Sequence, residues 1–117
     1  MDKDELRERS EALAIRIVRL YQYVIREKHE TILSKQLLRS GTSIGANITE
    51  AHYAQSRSDF ISKLSIALKE AAETKYWLQL LHRTDYLTNE EQQSLLNDLQ
   101  PLLRLLSSSI RTAKGHT

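Results

Sequence analysis

The sequence predicts an all-α protein, an antiparallel up-down-up-down four-helix bundle in which residues 1–117 form a single domain. Apolar residues recur with the helical period along almost the whole chain, and no strict alternation is long enough for a strand. Helices are predicted at about residues 3–28, 32–54, 58–84 and 89–113, with links of only a few residues. Links this short require consecutive helices to be antiparallel.

The first two helices each show more than an ordinary apolar stripe. Helix one has a stripe that includes Leu13 and Ile17 and a second stripe beside it, so it is apolar on two sides. Helix two contains Gly41 and Gly45, although a glycine inside a helix costs about 1 kcal/mol relative to alanine. Their four-residue spacing puts both glycines on one face. We therefore expect a neighbouring helix to approach closely at that face.

Capping motifs mark the starts of the last two helices. Ser56 with Asp59, and Thr88 with Glu91, have the three-residue spacing of a capping box. In helix four, Pro101 lies well inside the apolar pattern. Because proline removes one backbone hydrogen bond and clashes with the preceding turn, we predict a kink at residues 98–101, with a short break of the helix as the alternative.

The helices carry more apolar surface than one bundle hides. Helix one has its second stripe, and helix three leaves Ile61, Leu68 and Trp77 outside its main heptad line. Large apolar surfaces usually mark interfaces, so we expect self-association through helix one and part of helix three. The alternative is that Tyr21, Tyr23 and Trp77 lie over helix ends with their polar atoms in water.

Composition and motifs argue against several functional classes. The chain has no cysteine, which removes thiol nucleophiles and thiolate metal sites. No apolar run approaches the roughly 18 residues of a membrane span, and the charged start does not resemble a signal peptide. The Glu-x-x-His pairs of di-iron bundles, phosphate-binding loops and nucleophile elbows are missing from the sequence. We therefore expect a cytoplasmic, non-enzymatic protein that has no cofactor or metal and no contact with a membrane.

The charge is concentrated in the middle of the chain. The net charge is only +2, yet residues 12–75 contain ten basic and six acidic side chains. An ordinary solvated helix face is one interpretation, and a surface for RNA, DNA or another partner is the other. The candidate contact residues are Arg16, Arg19, Arg26, Lys28, Lys35 and Arg39.

A polar stripe borders the glycine face of helix two. Short polar side chains so close to a packing surface need partners, and helix three offers both signs of charge. We predict a structural polar network between the helices, in which Asn47 and Glu50 fix the register or the subunit contact. Its predicted members are Ser43, Asn47, Glu50, Glu70 and Glu73. A site for a small ligand or metal, built from Asn47, Glu50, Glu70 and Glu73, is the alternative function.

These segments resemble a known family. Residues 36–40 (QLLRS) and 43–51 (SIGANITEA) are similar to the signature helix of the small four-helix bundles named for intervening sequences in bacterial 23S rRNA genes. The similarity continues through helix three and covers roughly residues 12–110. It implies a bacterial, cytoplasmic, non-enzymatic bundle, with members that form ring-shaped homopentamers. Relatives of that family include accessory variability proteins of diversity-generating retroelements, which are basic pentamers that bind nucleic acid and a reverse transcriptase.

Two functions therefore remain at this point. The first is a homo-oligomeric scaffold, pentameric by resemblance, that presents basic residues to RNA, DNA or a protein that handles them. The second is the ligand or metal site described above. Salt separates the two, because binding through phosphate contacts weakens steeply as salt rises, whereas a buried carboxylate site is screened much less.

Overall fold

The computed structural model describes residues 3–115, which form four helices in chain order. Helix α1 spans Lys3–Tyr23, α2 spans Leu33–His52, α3 spans Arg57–Arg83 and α4 spans Asn89–Ala113. This part of the chain contains no strand, so the all-α prediction is confirmed. None of these helices combines the length and apolar character needed to span a bilayer.

The helices stand at the corners of a square in chain order. The packed pairs are α1–α2, α2–α3, α3–α4 and α1–α4, which leaves α1 and α3 diagonally opposite each other. The described helices occupy about 45 × 23 × 19 Å. Each helix therefore turns two sides towards neighbours and presents an outer face to the surroundings.

The two glycines of α2 lie where α1 approaches closely, as predicted. A Cβ atom at Gly41 would lie 2.8 Å from Cγ2 of Ile17, and one at Gly45 would lie 3.3 Å from Oγ of Ser10. Position 41 thus faces position 17, whereas position 45 faces position 10. Because the numbering rises in opposite directions, α1 and α2 are antiparallel.

All four helices contribute side chains to one continuous core. The apolar stripe predicted for α4 is buried along its whole length, from Leu95 to Ile110. The largest fully buried apolar side chains are those of Leu13, Ile17, Val24, Leu37, Ile44, Leu64, Leu78, Leu81, Leu99, Leu102 and Leu106.

Part of the apolar excess predicted for helix three is used inside the subunit. Ile61, Leu68 and Trp77 are partly buried and pack against the core. The free apolar surface on α3 is instead at Ile66 and Tyr76, which are 37% and 55% exposed. Ile61, Leu68 and Trp77 are not fully buried, so the use of part of α3 in self-association stays a prediction.

The end of the first helix differs from a regular α-helix. Residues Val24–Lys28 continue α1 as one π-helical segment, and His29 follows with a left-handed φ of 57°. Helix one therefore reaches residue 28 as predicted, but its last turn is wider. Such turns are inserted singly into α-helices, and one extra residue does not alter an apolar pattern enough to be recognised.

The starts of α3 and α4 follow the predicted capping motifs. Oγ1 of Thr88 accepts the N–H of Glu91 at 3.1 Å, and Oε1 of Glu91 accepts the N–H of Thr88 at 2.8 Å, which completes the box. Oγ of Ser56 accepts the N–H of Asp59 at 3.0 Å. The carboxylate of Asp59 accepts the N–H of Gln55 instead of that of Ser56. The second motif is therefore complete, whereas the first has its reciprocal bond one residue earlier.

Helix α4 continues through Pro101 as one element. The alternative of a short break is therefore wrong. The kink stays a prediction.

Candidate interaction site

Arg39 of α2 joins two carboxylates of α3. Its Nη1 donates to Oε2 of Glu70 at 3.0 Å, and its Nη2 donates to Oε2 of Glu73. Nε1 of Trp77 also donates to Oε2 of Glu73, at 3.4 Å. Because positions 70 and 73 lie on one face of a helix, a single guanidinium reaches both carboxylates. Glu70 is only 8% exposed, so this ion pair reaches the edge of the core.

Two buried hydroxyl groups meet directly behind this ion pair. Ser40 and Thr74 are fully buried, and their hydroxyl oxygens lie 3.0 Å apart. Oγ1 of Thr74 also lies 2.8 Å from the carbonyl oxygen of Glu70, and Oγ of Ser40 lies 3.3 Å from that of Leu37, so two hydroxyl protons serve three contacts. The contact between the two hydroxyls forms only where positions 40 and 74 face each other, so it favours a single register of α2 on α3. The polar Thr74 at an apolar heptad position is the signal in the sequence.

A second ion pair joins the other end of α2 to α3. Nζ of Lys63 lies 3.0 Å from Oε1 of Glu50. The hydrogen bond to Glu50 and the charge of its carboxylate raise the pKa of Lys63 above its ordinary value. Since Arg39 pairs with Glu70 and Glu50 pairs with Lys63, α2 and α3 are antiparallel.

The remaining two members of the predicted network bond within their own helix. Oγ of Ser43 donates to the carbonyl of Arg39 at 2.7 Å. Nδ2 of Asn47 donates to the carbonyl of Ser43 at 2.9 Å. Neither makes a hydrogen bond to α3 within the part of the chain that the structure describes. The five residues therefore divide into three inter-helix contacts and two contacts inside α2.

The carboxylates of the alternative ligand site are held by basic side chains. Glu70 and Glu73 contact Arg39, and Glu50 contacts Lys63. Among the side chains of residues 5–115, no three His, Asp or Glu groups come close enough together to hold a metal ion. The geometry therefore assembles inter-helix ion pairs at these positions.

The six basic candidates do not share one surface. Arg16 of α1 contacts α4, where it donates to Oδ2 of Asp98 at 2.7 Å and to Oγ of Ser94 at 2.7 Å. Arg39 lies on the seam between α2 and α3. These two seams are on opposite sides of the square, so Arg16 and Arg39 cannot contact one compact ligand together.

The other four basic candidates also differ in their surroundings. Arg26 pairs with its neighbour Glu27 at 3.0 Å. Arg19 lines a groove between α1 and α4 that Glu90 and Glu91 also line. The exposed candidates that form no ion pair with any other described side chain are Arg19, Lys28 and Lys35.

A buried carboxylate at the start of α2 has a structural role that the sequence analysis did not assign. Glu30 accepts hydrogen bonds from the backbone N–H groups of Ile32, Leu33 and Ser34 at 2.9, 2.9 and 2.7 Å. Burial acts to raise the pKa of Glu30, but the bonds from these N–H groups outweigh it and hold the pKa below its ordinary value. Glu30 thus caps α2. An acidic residue just before a predicted helix start was the available signal.

Apolar side chains are exposed on the outer faces of two diagonally opposite helices. On α1, Ile15 is 52% exposed and lies beside the half-buried Ala14 and Val18, around a shallow groove of about 340 Å³. On α3, Ile66 and Tyr76 are exposed. Lys69 is exposed on the same stripe, where the side chain of Glu73 is 35% exposed. Because α1 and α3 occupy opposite corners, these two faces point in opposite directions.

Comparison with known proteins gives a family for the chain. The family model described as 23S rRNA-intervening sequence protein matches residues 3–108. The chain is also similar to a crystal structure of a Bacteroides thetaiotaomicron protein of unknown function from the S23 ribosomal protein family. That match has a TM-score of 0.93 and 54% identity, and it covers 95% of this chain and 99% of the other. A search of curated proteins gives no match. The bundle described here thus belongs to the family of 23S rRNA-intervening sequence proteins.

Proposed function

We propose that this protein is a non-enzymatic homo-oligomeric scaffold in which the outer face of α1 in one copy packs against the outer face of α3 in the next. The observation that carries the proposal is the exposure of Ile15 on α1 and of Ile66 and Tyr76 on α3. Burial of large apolar side chains is the main favourable term in association, and the two faces are separate surfaces of one subunit.

Two different contact faces on one subunit permit a ring. A contact between two different surfaces of identical subunits repeats from copy to copy. The assembly becomes a closed ring when the rotation between neighbouring subunits brings the last copy back to the first. A contact of one face with itself would stop at a dimer. The resemblance to family members that form pentamers supports closure at five subunits.

Charge also favours a contact between unlike faces. The exposed surface of α3 carries Arg57, Lys69 and Arg83, against which only Glu73 exposes about a third of its side chain (35%), so pairing α3 with a second α3 would bring an excess of like charges together. The α1 groove is lined by Glu11 as well as by Arg19. A contact between α1 and α3 therefore offers the basic face of α3 an acidic partner.

Mixing two single-face variants tests this arrangement. Ile15→Glu and Tyr76→Glu each place a charge in one face, so we expect each variant alone to be monomeric by analytical ultracentrifugation. Each variant keeps the face that the other lacks, and an equimolar mixture is therefore expected to form a heterodimer. Ser108→Glu, at an exposed position on α4, is the control and should assemble like the unmodified protein. Monomeric unmodified protein, or a mixture that stays monomeric, would contradict the proposal.

Nucleic-acid binding by the assembled scaffold is a second candidate function. It is supported by the exposed Arg19, Lys28 and Lys35, which form no ion pair with another described residue. An assembly also multiplies the net charge of +2 per chain.

Filter binding with a structured RNA at two salt concentrations tests this second function. Binding through phosphates should fall steeply as salt rises. The double variant Lys28→Gln with Lys35→Gln should lower the salt slope by roughly two per subunit in contact, whereas Arg104→Gln on α4 should leave it unchanged. No binding at low salt would remove this function and leave the scaffold untouched.

A further inference from the structure

The four helices leave an apolar cavity at the end of the bundle where α1 and α3 begin and α2 and α4 end. Its volume is about 210 Å³, and its walls include Leu6, Ile48, Phe60 and Leu64. This cavity is half open to the surroundings and is not sealed within the core. An engineered apolar cavity of roughly 150 Å³ is large enough to bind benzene. The cavity here therefore has room for a compact apolar group.

The polar groups around this cavity favour a negative charge. Arg7 and His52 line it, and its described lining contains no aspartate or glutamate. Arg7 is half-buried and forms no ion pair with another described side chain. The hydroxyl-bearing Ser109 and Thr112 complete the polar part of the lining. A guanidinium binds a carboxylate with two parallel N–H···O bonds, and an imidazole N–H adds another donor.

From these two observations, we infer that the cavity binds a small apolar carboxylic acid, with a ring or short chain of about six to eight carbon atoms between the apolar walls and the carboxylate at Arg7 and His52. A neutral apolar molecule would fill the walls but would form no charge-assisted hydrogen bond with the guanidinium. A long-chain lipid exceeds the volume, and a helix from a second copy is too wide for it.

This site is independent of the proposed scaffold. The cavity lies among the helix ends, whereas the proposed subunit contacts use the outer faces of α1 and α3. Loss of binding in a variant that keeps its sedimentation coefficient would therefore concern the cavity alone. Loss of assembly with binding retained would concern the scaffold alone.

Titration of the full chain with phenylacetate, followed by calorimetry and by backbone amide chemical shifts, tests the inference. The neutral 2-phenylethanol is the matched ligand control. We expect phenylacetate to bind with a dissociation constant of roughly 1 mM or tighter and to shift the amides around Ala51 and Leu64. We expect 2-phenylethanol to bind about tenfold more weakly, since it lacks the charge-assisted hydrogen bonds.

Three variants locate the site. Arg7→Gln should weaken phenylacetate binding about tenfold and leave 2-phenylethanol unaffected. Arg9→Gln, two residues further along α1 and outside the cavity lining, should change neither affinity. Ala113→Leu places a larger side chain in the cavity near the end of α4 and should abolish binding of both ligands while the circular dichroism spectrum is retained. Should Ala113→Leu fail to fold, Ser109→Leu fills the cavity from the same helix.

Three results would overturn the inference. The first is the absence of phenylacetate binding, and the second is equal affinity for phenylacetate and 2-phenylethanol. The third is binding that persists in a folded variant with a filled cavity, because that would place the ligand elsewhere on the molecule.

Discussion

The two sides of helix α2 are held by different means. Towards α1, the contact depends on the missing side chains of Gly41 and Gly45, which let the helices approach until Ile17 touches the backbone region of α2. Towards α3, the contact depends on polar groups, above all the Arg39 ion pairs and the buried pair of Ser40 and Thr74. The contact with α1 requires small residues on α2, whereas the contact with α3 requires hydrogen-bonding partners at matching positions on the two helices.

This difference explains why one helix carries both the glycines and most of the polar signature. A close contact between apolar surfaces permits sliding unless side chains interlock, whereas a buried polar pair is satisfied in one register. The glycine side of α2 thus allows close packing against α1, and its polar side fixes the register against α3. Substitutions on the two sides should therefore have different consequences.

The largest effect is expected from Gly41→Leu. Even a Cβ atom at position 41 would lie 2.8 Å from Cγ2 of the fully buried Ile17, so a leucine must push α1 away. Overpacking of this kind costs typically 1 to 3 kcal/mol, and we expect about 3 kcal/mol of unfolding free energy to be lost. Urea denaturation measures the loss. The double variant Gly41→Leu with Ile17→Ala restores space and should recover part of it, and unchanged stability of Gly41→Leu would contradict the close approach.

Glu70→Ala breaks the polar side of α2. The change removes one of the two carboxylates that contact Arg39, and the one removed is nearly buried. We expect a loss of about 2 kcal/mol, below the range for fully buried pairs, because Arg39 can be rehydrated. Chemical denaturation provides the measurement, with Glu90→Ala at an exposed position of α4 as the control. A loss no larger than that of the control would show that the ion pair contributes only as an exposed one does.

Glu30→Gln tests the N-terminal cap of α2, which belongs to neither the α1 contact nor the α3 contact alone. The folded-state pKa of Glu30 lies below its ordinary value of 4.5, so its contribution is complete above that value and is lost as pH falls through the lower folded-state pKa. We expect the variant to lose about 1 kcal/mol at neutral pH. The difference from the unmodified protein should shrink in acid. Denaturation curves recorded from neutral pH downward check both points, and a difference that is constant with pH would contradict the role of the carboxylate charge.

The smallest effect is expected from Gly45→Ala. Alanine improves helix propensity by up to about 1 kcal/mol, but its Cβ would lie 3.3 Å from Oγ of Ser10. These terms oppose each other, so thermal unfolding should show a stability change within about 0.5 kcal/mol. Ser10→Ala in combination with Gly45→Ala removes the crowding atom and should turn the net change into a gain. A loss as large as that of Gly41→Leu would mean that the contact with α1 is as tight at position 45 as at position 41.

The elements were predictable because local signals mark them. The capping box of Thr88 and Glu91 and the apolar stripe up to Ile110 define α4 with the bounds that the structure shows. The π-helical end of α1 was not predictable, because a single wider turn leaves the apolar pattern unchanged. The role of Glu30 was also missed, because a side chain that reaches forward to three N–H groups depends on how the link is bent.

The sequence predicted which residues form the site better than it predicted which of them pair with each other. Helical spacing put Glu70 and Glu73 on one face, but their shared partner Arg39 follows from the rotation of α2 against α3, which a single sequence does not specify. The same rotation directs Asn47 to its own helix. Arg16 is separated from Arg39 because it lies on the seam between α1 and α4.

The order of the helices around the square bears on how the chain folds. Consecutive helices pack side by side, and the contact between α1 and α4, with Arg16 on Asp98, joins segments that are far apart in the sequence. Contacts between consecutive helices are local in the sequence. Helical proteins in which local contacts dominate fold within microseconds to milliseconds, since little loop-closure entropy opposes each step. The first three helices can thus associate successively as the chain is synthesised. Closure of the bundle waits for the last helix to dock.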